Sequence, residues 1–223
     1  MKKVFAMLLV AAIICTMTAC TKKNVETVTK EETETQVVGG WTRPASTEVT
    51  DEIKELVAKA TEKLLGAEYT PIAFISSQLV AGTNYKVLCA ITSVTPNATA
   101  HYAVIVIYKD LEGNVEITSI LDSEAEVLAG EGMLGGWTMP ETTDVTEEAK
   151  AALEKAAEKL VGAEYAPVAL LATQLVSGTN YCLLCEVTAV APSAEANYVI
   201  VHVYEDLNGN AEITETFDLA AAD

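Results

Sequence analysis

The chain has 223 residues, half of them hydrophobic, enough apolar material for one large or two small cores and hence for one or two domains. Its 32 acidic residues against 14 basic ones leave a formal net charge of −18, which repels phosphate backbones and anionic lipid surfaces and excludes nucleic acid as a partner. The carboxylates fall mostly in an N-terminal polar stretch and on expected helix faces, where they serve solubility.

Residues 1–19 read as a leader and not as part of the fold. Lys2 and Lys3 form a basic start, residues 4–14 an apolar run too short for an ordinary spanning helix, and Met17-Thr18-Ala19-Cys20 closes with small residues before a cysteine. The pattern resembles a bacterial lipoprotein signal peptide, with an ordinary secretory signal cleaved near Ala19 as the alternative. The resemblance implies cleavage before Cys20, lipid on its thiol, and an extracytoplasmic chain attached to the bacterial cell membrane through that lipid anchor only. No other run is long and apolar enough to span a bilayer. Residues 20–38 are then the lipidated cysteine and a flexible tether rich in Thr, Glu and Lys without an apolar period. Fully extended, the tether reaches about 60 Å.

From Gly39 the chain repeats without an insertion: Gly40 matches Gly136, Gln78 matches Gln174 and Asp122 matches Asp218, a constant offset of 96 positions. More than half the aligned positions are identical. Two copies are too few for a solenoid, so the expectation is a tandem duplication of one small fold, with domain one over 39–122, a linker over 123–134, domain two over 135–218 and a tail over 219–223.

Each copy predicts a helix followed by four strands. Thr50 is the N-cap, Asp51 and Glu52 fill the first turn, and Ile53, Leu56, Val57, Ala60 and Leu64 share one face before Gly66. Thr146, Glu147, Glu148, Leu153, Ala156 and Leu160 repeat the pattern up to Gly162. Strands are predicted over 69–80, 83–94, 101–108 and 115–121, each with one apolar face. That pattern is α+β, an antiparallel sheet wrapped across a single helix. Cys89 and Cys185 sit at equivalent positions as small buried hydrophobes, and Cys182 points to the other face of its strand, so Cys182 and Cys185 form neither a redox pair nor a metal site.

The most specific feature is Gln78-Leu79-Val80-Ala81-Gly82-Thr83-Asn84-Tyr85, which returns as Gln174-Leu175-Val176-Ser177-Gly178-Thr179-Asn180-Tyr181. Each copy is a hairpin whose small-residue tip faces solvent. With Gly39-Gly40 upstream, the long helix, and the later Leu111-Glu112-Gly113-Asn114 turn, both repeats resemble the cystatin family in its compact, disulfide-free, stefin-like form. The resemblance implies two tandem cystatin-like domains, each an antiparallel four- to five-stranded sheet wrapped across one helix. It also implies reversible inhibition of papain-like cysteine proteases by a three-part wedge. The first part is a trunk at Val38, Gly39 and Gly40, or Leu134, Gly135 and Gly136. The second is the first hairpin, Gln78, Leu79, Val80, Ala81 and Gly82, or Gln174, Leu175, Val176, Ser177 and Gly178. The third is the later turn with Leu111 and Gly113, or Leu207 and Gly209.

Small uncharged tip residues suit a narrow cleft because no charge is desolvated there, and a preformed hairpin loses little freedom on binding. The mechanism is then occlusion and not chemistry. A non-inhibitory surface binding or scaffold module on the same fold is the alternative. No catalytic group is expected: His101 aligns with Asn197 and His202 with Val106, so neither histidine recurs, and no spacing suggests a metal or a cofactor.

Overall fold

The structure, a computed structural model, describes residues 39–95, 99–123, 129–130 and 135–219. The leader, Cys20, the tether with Val38, Leu134 and the last four residues lie outside the described residues. The first repeat runs β1 (Trp41–Thr42), α1 (Asp51–Thr61), β2 (Ala67–Val80), β3 (Gly82–Ser93), β4 (Thr99–Lys109) and β5 (Val115–Asp122), and the linker adds β6 (Ala129–Gly130). The second runs α2 (Glu147–Ala157), β7 (Ala163–Val176), β8 (Gly178–Ala189), β9 (Ala196–Asp206) and β10 (Ala211–Asp218). In place of a counterpart to β1 it has a single bridge, Thr138 to Thr173.

Both helices start as their sequences predict. The Thr50 hydroxyl accepts from the Ile53 N–H at 3.4 Å and the Thr146 hydroxyl from the Ala149 N–H at 3.2 Å, each ahead of two acidic residues that suit a helix N-terminus. The first helix ends sooner than expected. Thr61 closes it, its hydroxyl donating back to the Val57 carbonyl at 2.9 Å, and Leu64 lies outside it and exposed.

All strands pair antiparallel. β1 to β5 follow one another in a six-stranded sheet, with β6 beside β4, and β7 to β10 form a four-stranded sheet. Pro71 and Pro167 stand at equivalent places in β2 and β7, each beside a shift in register. Proline fits there because these strands lie at or next to the sheet edge, where a missing N–H costs no ladder bond.

The expected α+β class, two tandem cystatin-like domains each with a sheet wrapped across one helix, is overturned. Strands hold 54% of the described residues and helices 13%, and the chain is a mostly β protein of two antiparallel sheets with only two short helices among the described residues. The physical reason lies in the strands. Val87, Leu88, Cys89, Ala90 and Ile91 are consecutive and all buried, as are Tyr102 to Ile107, so these strands bury both faces and not the single face predicted. One face of the first sheet packs on α1 through Val87, Cys89, Ile105 and Ile107, and the second sheet packs on α2 through Leu183, Cys185, Val201 and Val203. The remaining faces meet each other: Ala73, Ile75, Leu88, Tyr102 and Val104 share a core with Ala169, Leu171, Cys182, Leu184, Tyr198 and Ile200.

Two contacts fix how the sheets face each other. Arg43, one residue beyond the Thr42–Ser77 pair near the hairpin end of the first sheet, reaches the Ala196 carbonyl and the Glu186 carboxylate at the far end of the second. Tyr102, toward the far end of the first sheet, donates a 2.6 Å bond to the Leu171 carbonyl, nearer the hairpin end of the second. The strands of the two sheets therefore run in reversed sense, and the two sets of hairpins point to opposite ends of the protein.

Candidate functional site

In a meander of antiparallel strands, the β2–β3 and β4–β5 turns fall on one end of the first sheet, and the β7–β8 and β9–β10 turns on one end of the second. The double glycines join them. The Gly39 N–H donates to the Leu79 carbonyl at 2.9 Å, and the Gln78 side-chain amide donates to the Gly39 carbonyl at 3.0 Å. Asn84 in turn donates to the Gln78 side-chain oxygen at 2.8 Å. The second repeat builds the same relay, Asn180 to Gln174 at 2.6 Å and Gln174 to the Gly135 carbonyl at 2.8 Å. The described residues of the three predicted segments are thus brought to one end of each sheet, Val38 and Leu134 lying outside the described residues. Within them Gln78 and Gln174 brace the trunk from inside, with their amides turned to partners in the same chain.

The hairpins are held from a direction the sequence did not suggest. Tyr108 donates its hydroxyl to the Ala81 carbonyl at 2.5 Å and Tyr204 to the Ser177 carbonyl at 2.7 Å. Beneath those rings Gly82 and Gly178 are buried, with φ of +126° and +133°. Both tyrosines occupy equivalent positions, and that recurrence was the available clue. What the tips offer outward is apolar: Val80, Leu175 and Val176 are exposed, as are Leu111 at 80% and Leu207 at 84%, whereas Leu79 is half-buried. Ala81 and Ser177 are exposed at the turns themselves.

The later turns are fastened by their own aspartates. Asp110 accepts from the Asn114 N–H and from its side-chain amide, each at 2.7 Å, and Gly113 takes φ of +87°. Asp206 accepts from the Asn208 and Asn210 N–H groups at 2.8 Å and from the Asn210 amide at 2.9 Å, with Gly209 at +76°. Hydrogen bonds from the asparagine side chains, then from backbone N–H groups, hold both carboxyls below their ordinary value.

Trp41 and Trp137, which follow the double glycines, tie the trunks to the sheets. The Lys86 ammonium lies 4.2 Å from the Trp41 ring centre, and the Trp137 ring is 4.9 Å from the His202 ring. His202 also sits edge-on to Phe217 and holds Glu215 at 3.2 Å through Nδ1. Burial lowers its pKa against the opposing pull of Glu215. The three cysteines among the described residues are inert by position: Cys89 and Cys185 lie under the helices with thiols pushed up to about 12, and Cys182 lies in the core between the sheets.

No family model matches the chain, and no curated protein is similar to it. The likeness to cystatins therefore rests on the quoted motifs alone. Among the described residues, no helix is long and apolar enough to cross a membrane, and no three His, Cys, Asp or Glu side chains gather as metal ligands would.

Proposed function

We propose that each hairpin end is a docking wedge that reversibly occludes the cleft of a papain-like cysteine protease, and that lipid on Cys20 holds the chain at the outer face of a bacterial membrane. One observation carries the reading: a trunk glycine, a small-residue hairpin tip and an exposed leucine turn are gathered at one end of each sheet and braced by internal hydrogen bonds. Such a preformed edge, with uncharged tips on its first hairpin, binds without being ordered first. A second reading, a surface binding module that does not inhibit, is favoured by the inward use of the Gln78, Asn84, Gln174 and Asn180 amides, which leaves little polar recognition at the tips.

Titration of papain with the full chain separates the two. The expected result is inhibition at micromolar protein, reversed on dilution, with two papain molecules per chain because the ends point apart. Ala81→Arg and Ser177→Arg, at exposed tip positions, should each remove one site without unfolding the protein. Fully active papain in the presence of micromolar folded chain overturns the proposal, and capture of papain without loss of activity favours the second reading.

A further inference from the structure

The second repeat carries a titratable pair beneath its trunk where the first has none. His202 and Glu215 face each other across β9 and β10, and the equivalent positions in the first repeat are Val106 and Ser119. The His202 ring is only 7% exposed and lies against two aromatic rings, Trp137 of the trunk at 4.9 Å and Phe217 at 5.2 Å. Its Nδ1 meets the Glu215 carboxylate at 3.2 Å, so the neutral ring carries its proton there, and its Nε2 is buried without a hydrogen-bond partner.

A neutral ring suits that arrangement, because Nε2 is then only an unused acceptor. A charged ring donates from both nitrogens, and an N–H at Nε2 would be shut away with no acceptor. The other titratable groups on the packed elements bring no countercharge. Cys182 stands opposite His202 on β8 and Tyr102 lies in the same core on β4, both kept neutral because burial pushes their pKa values up. Arg43, Lys86 and Glu195 line the other end of the seam, beside Trp41 and Tyr198.

The trunk above the ring is lightly held. The first repeat pins its trunk with β1, paired Trp41 to Gln78 and Thr42 to Ser77, whereas the second has the Thr138–Thr173 bridge, the Gln174 bond to Gly135 and the Trp137 ring against His202.

We infer that His202 is an acid-operated latch, whose protonation releases the second trunk, residues 135–139, from its sheet while the first trunk stays in place. Opening returns the ring to water, where its ordinary value is 6.5, whereas in the closed form burial holds it lower against the pull of Glu215. The closed form thus binds fewer protons than the open one. Closure is fully supported above pH 6.5 and weakens as pH falls from there to the closed-form value. The latch concerns the position of the trunk and stands apart from any inhibition at the hairpin ends.

Amide hydrogen exchange on the full chain tests it, with each rate divided by the intrinsic rate at the same pH. Thr138 and Thr173 each donate to the other's carbonyl, and the Gly39 N–H donates to the Leu79 carbonyl in the first repeat. Protection of the first two amides should fall by up to about tenfold per pH unit below 6.5, while that of Gly39 holds. The His202 ring should titrate below 6.5 by NMR, and Glu215→Gln should move that midpoint lower still. His202→Val, the residue the first repeat uses, should leave Thr138 and Thr173 insensitive to pH. Constant protection between about pH 7.5 and about pH 5, an equal fall at Gly39, a His202 midpoint at or above 6.5, or a fall that persists in His202→Val overturns the latch. If His202→Val does not fold, Glu215→Gln decides, and an unmoved midpoint there also overturns it.

Discussion

A Cβ placed on Gly82 would lie 2.5 Å from the Lys109 carbonyl oxygen and 2.8 Å from the Tyr108 ring, at a φ that side-chain-bearing residues rarely adopt. Gly178 is confined in the same way by the Glu205 carbonyl and the Tyr204 ring, whereas Gly39, also at positive φ, has nothing within 4 Å of such an atom. The repeated glycine of the hairpin is therefore a packing residue first, and its replacement tests the fold before it tests any contact. Gly82→Ala should lower the unfolding free energy by about 2–4 kcal/mol, because backbone strain and overlap add, against about 1 kcal/mol for Gly39→Ala, where only strain acts. Urea unfolding of the two variants checks this, and equal losses would mean that Tyr108 and Lys109 do not enclose the glycine. The sequence made the need for glycine legible but not its cause, since the enclosing residues arrive from β4, more than twenty positions along the chain.

At the scale of elements, helix starts and hairpin turns were legible because their causes are local: a threonine cap before two acids, or a glycine within a short polar run. The turns over 110–114 and 206–210 show how local chemistry becomes rigidity. Each depends on one carboxylate that accepts bonds from the asparagine four residues on. Both carboxyls are held below the ordinary value of 3.8 by those bonds. A depressed folded-state pKa means that the turn is fully stabilised above the unfolded value and loses that support as pH falls through the folded one. Carbon-13 titration of the two carboxyls should give midpoints below 3.8, with the Asn114 and Asn210 amide signals moving on the same curve. Midpoints at or above that value would show that the turns are open in solution.

For the whole molecule, the one-faced reading of the strands failed on a pattern that was present in the chain. Val87 to Ile91 and Tyr102 to Ile107 leave no polar residue to alternate with the apolar ones, the mark of strands covered on both faces, but a helix accounts for only one of those faces. The seam partners were less legible, because Arg43, Lys86 and Glu186 have no counterparts in the other copy and their meeting depends on how two distant sheets stack. That stacking ties the repeats energetically. Separating them would expose Ile75, Leu88, Tyr102 and Val104 on one side and Leu171, Leu184, Tyr198 and Ile200 on the other, at about 1.5–3 kcal/mol for each large side chain returned to water. A loss of that size exceeds the stability of an ordinary small domain, so neither repeat should persist folded once the other has opened. The chain supplies its own reporters, one tryptophan in each repeat. Urea unfolding followed by fluorescence in Trp41→Phe and in Trp137→Phe should give coincident midpoints and equal slopes, the behaviour of a single cooperative unit. Midpoints that separate, with each variant corrected for its own change in total stability, would show two independent units and would leave the shared core between the sheets without energetic weight.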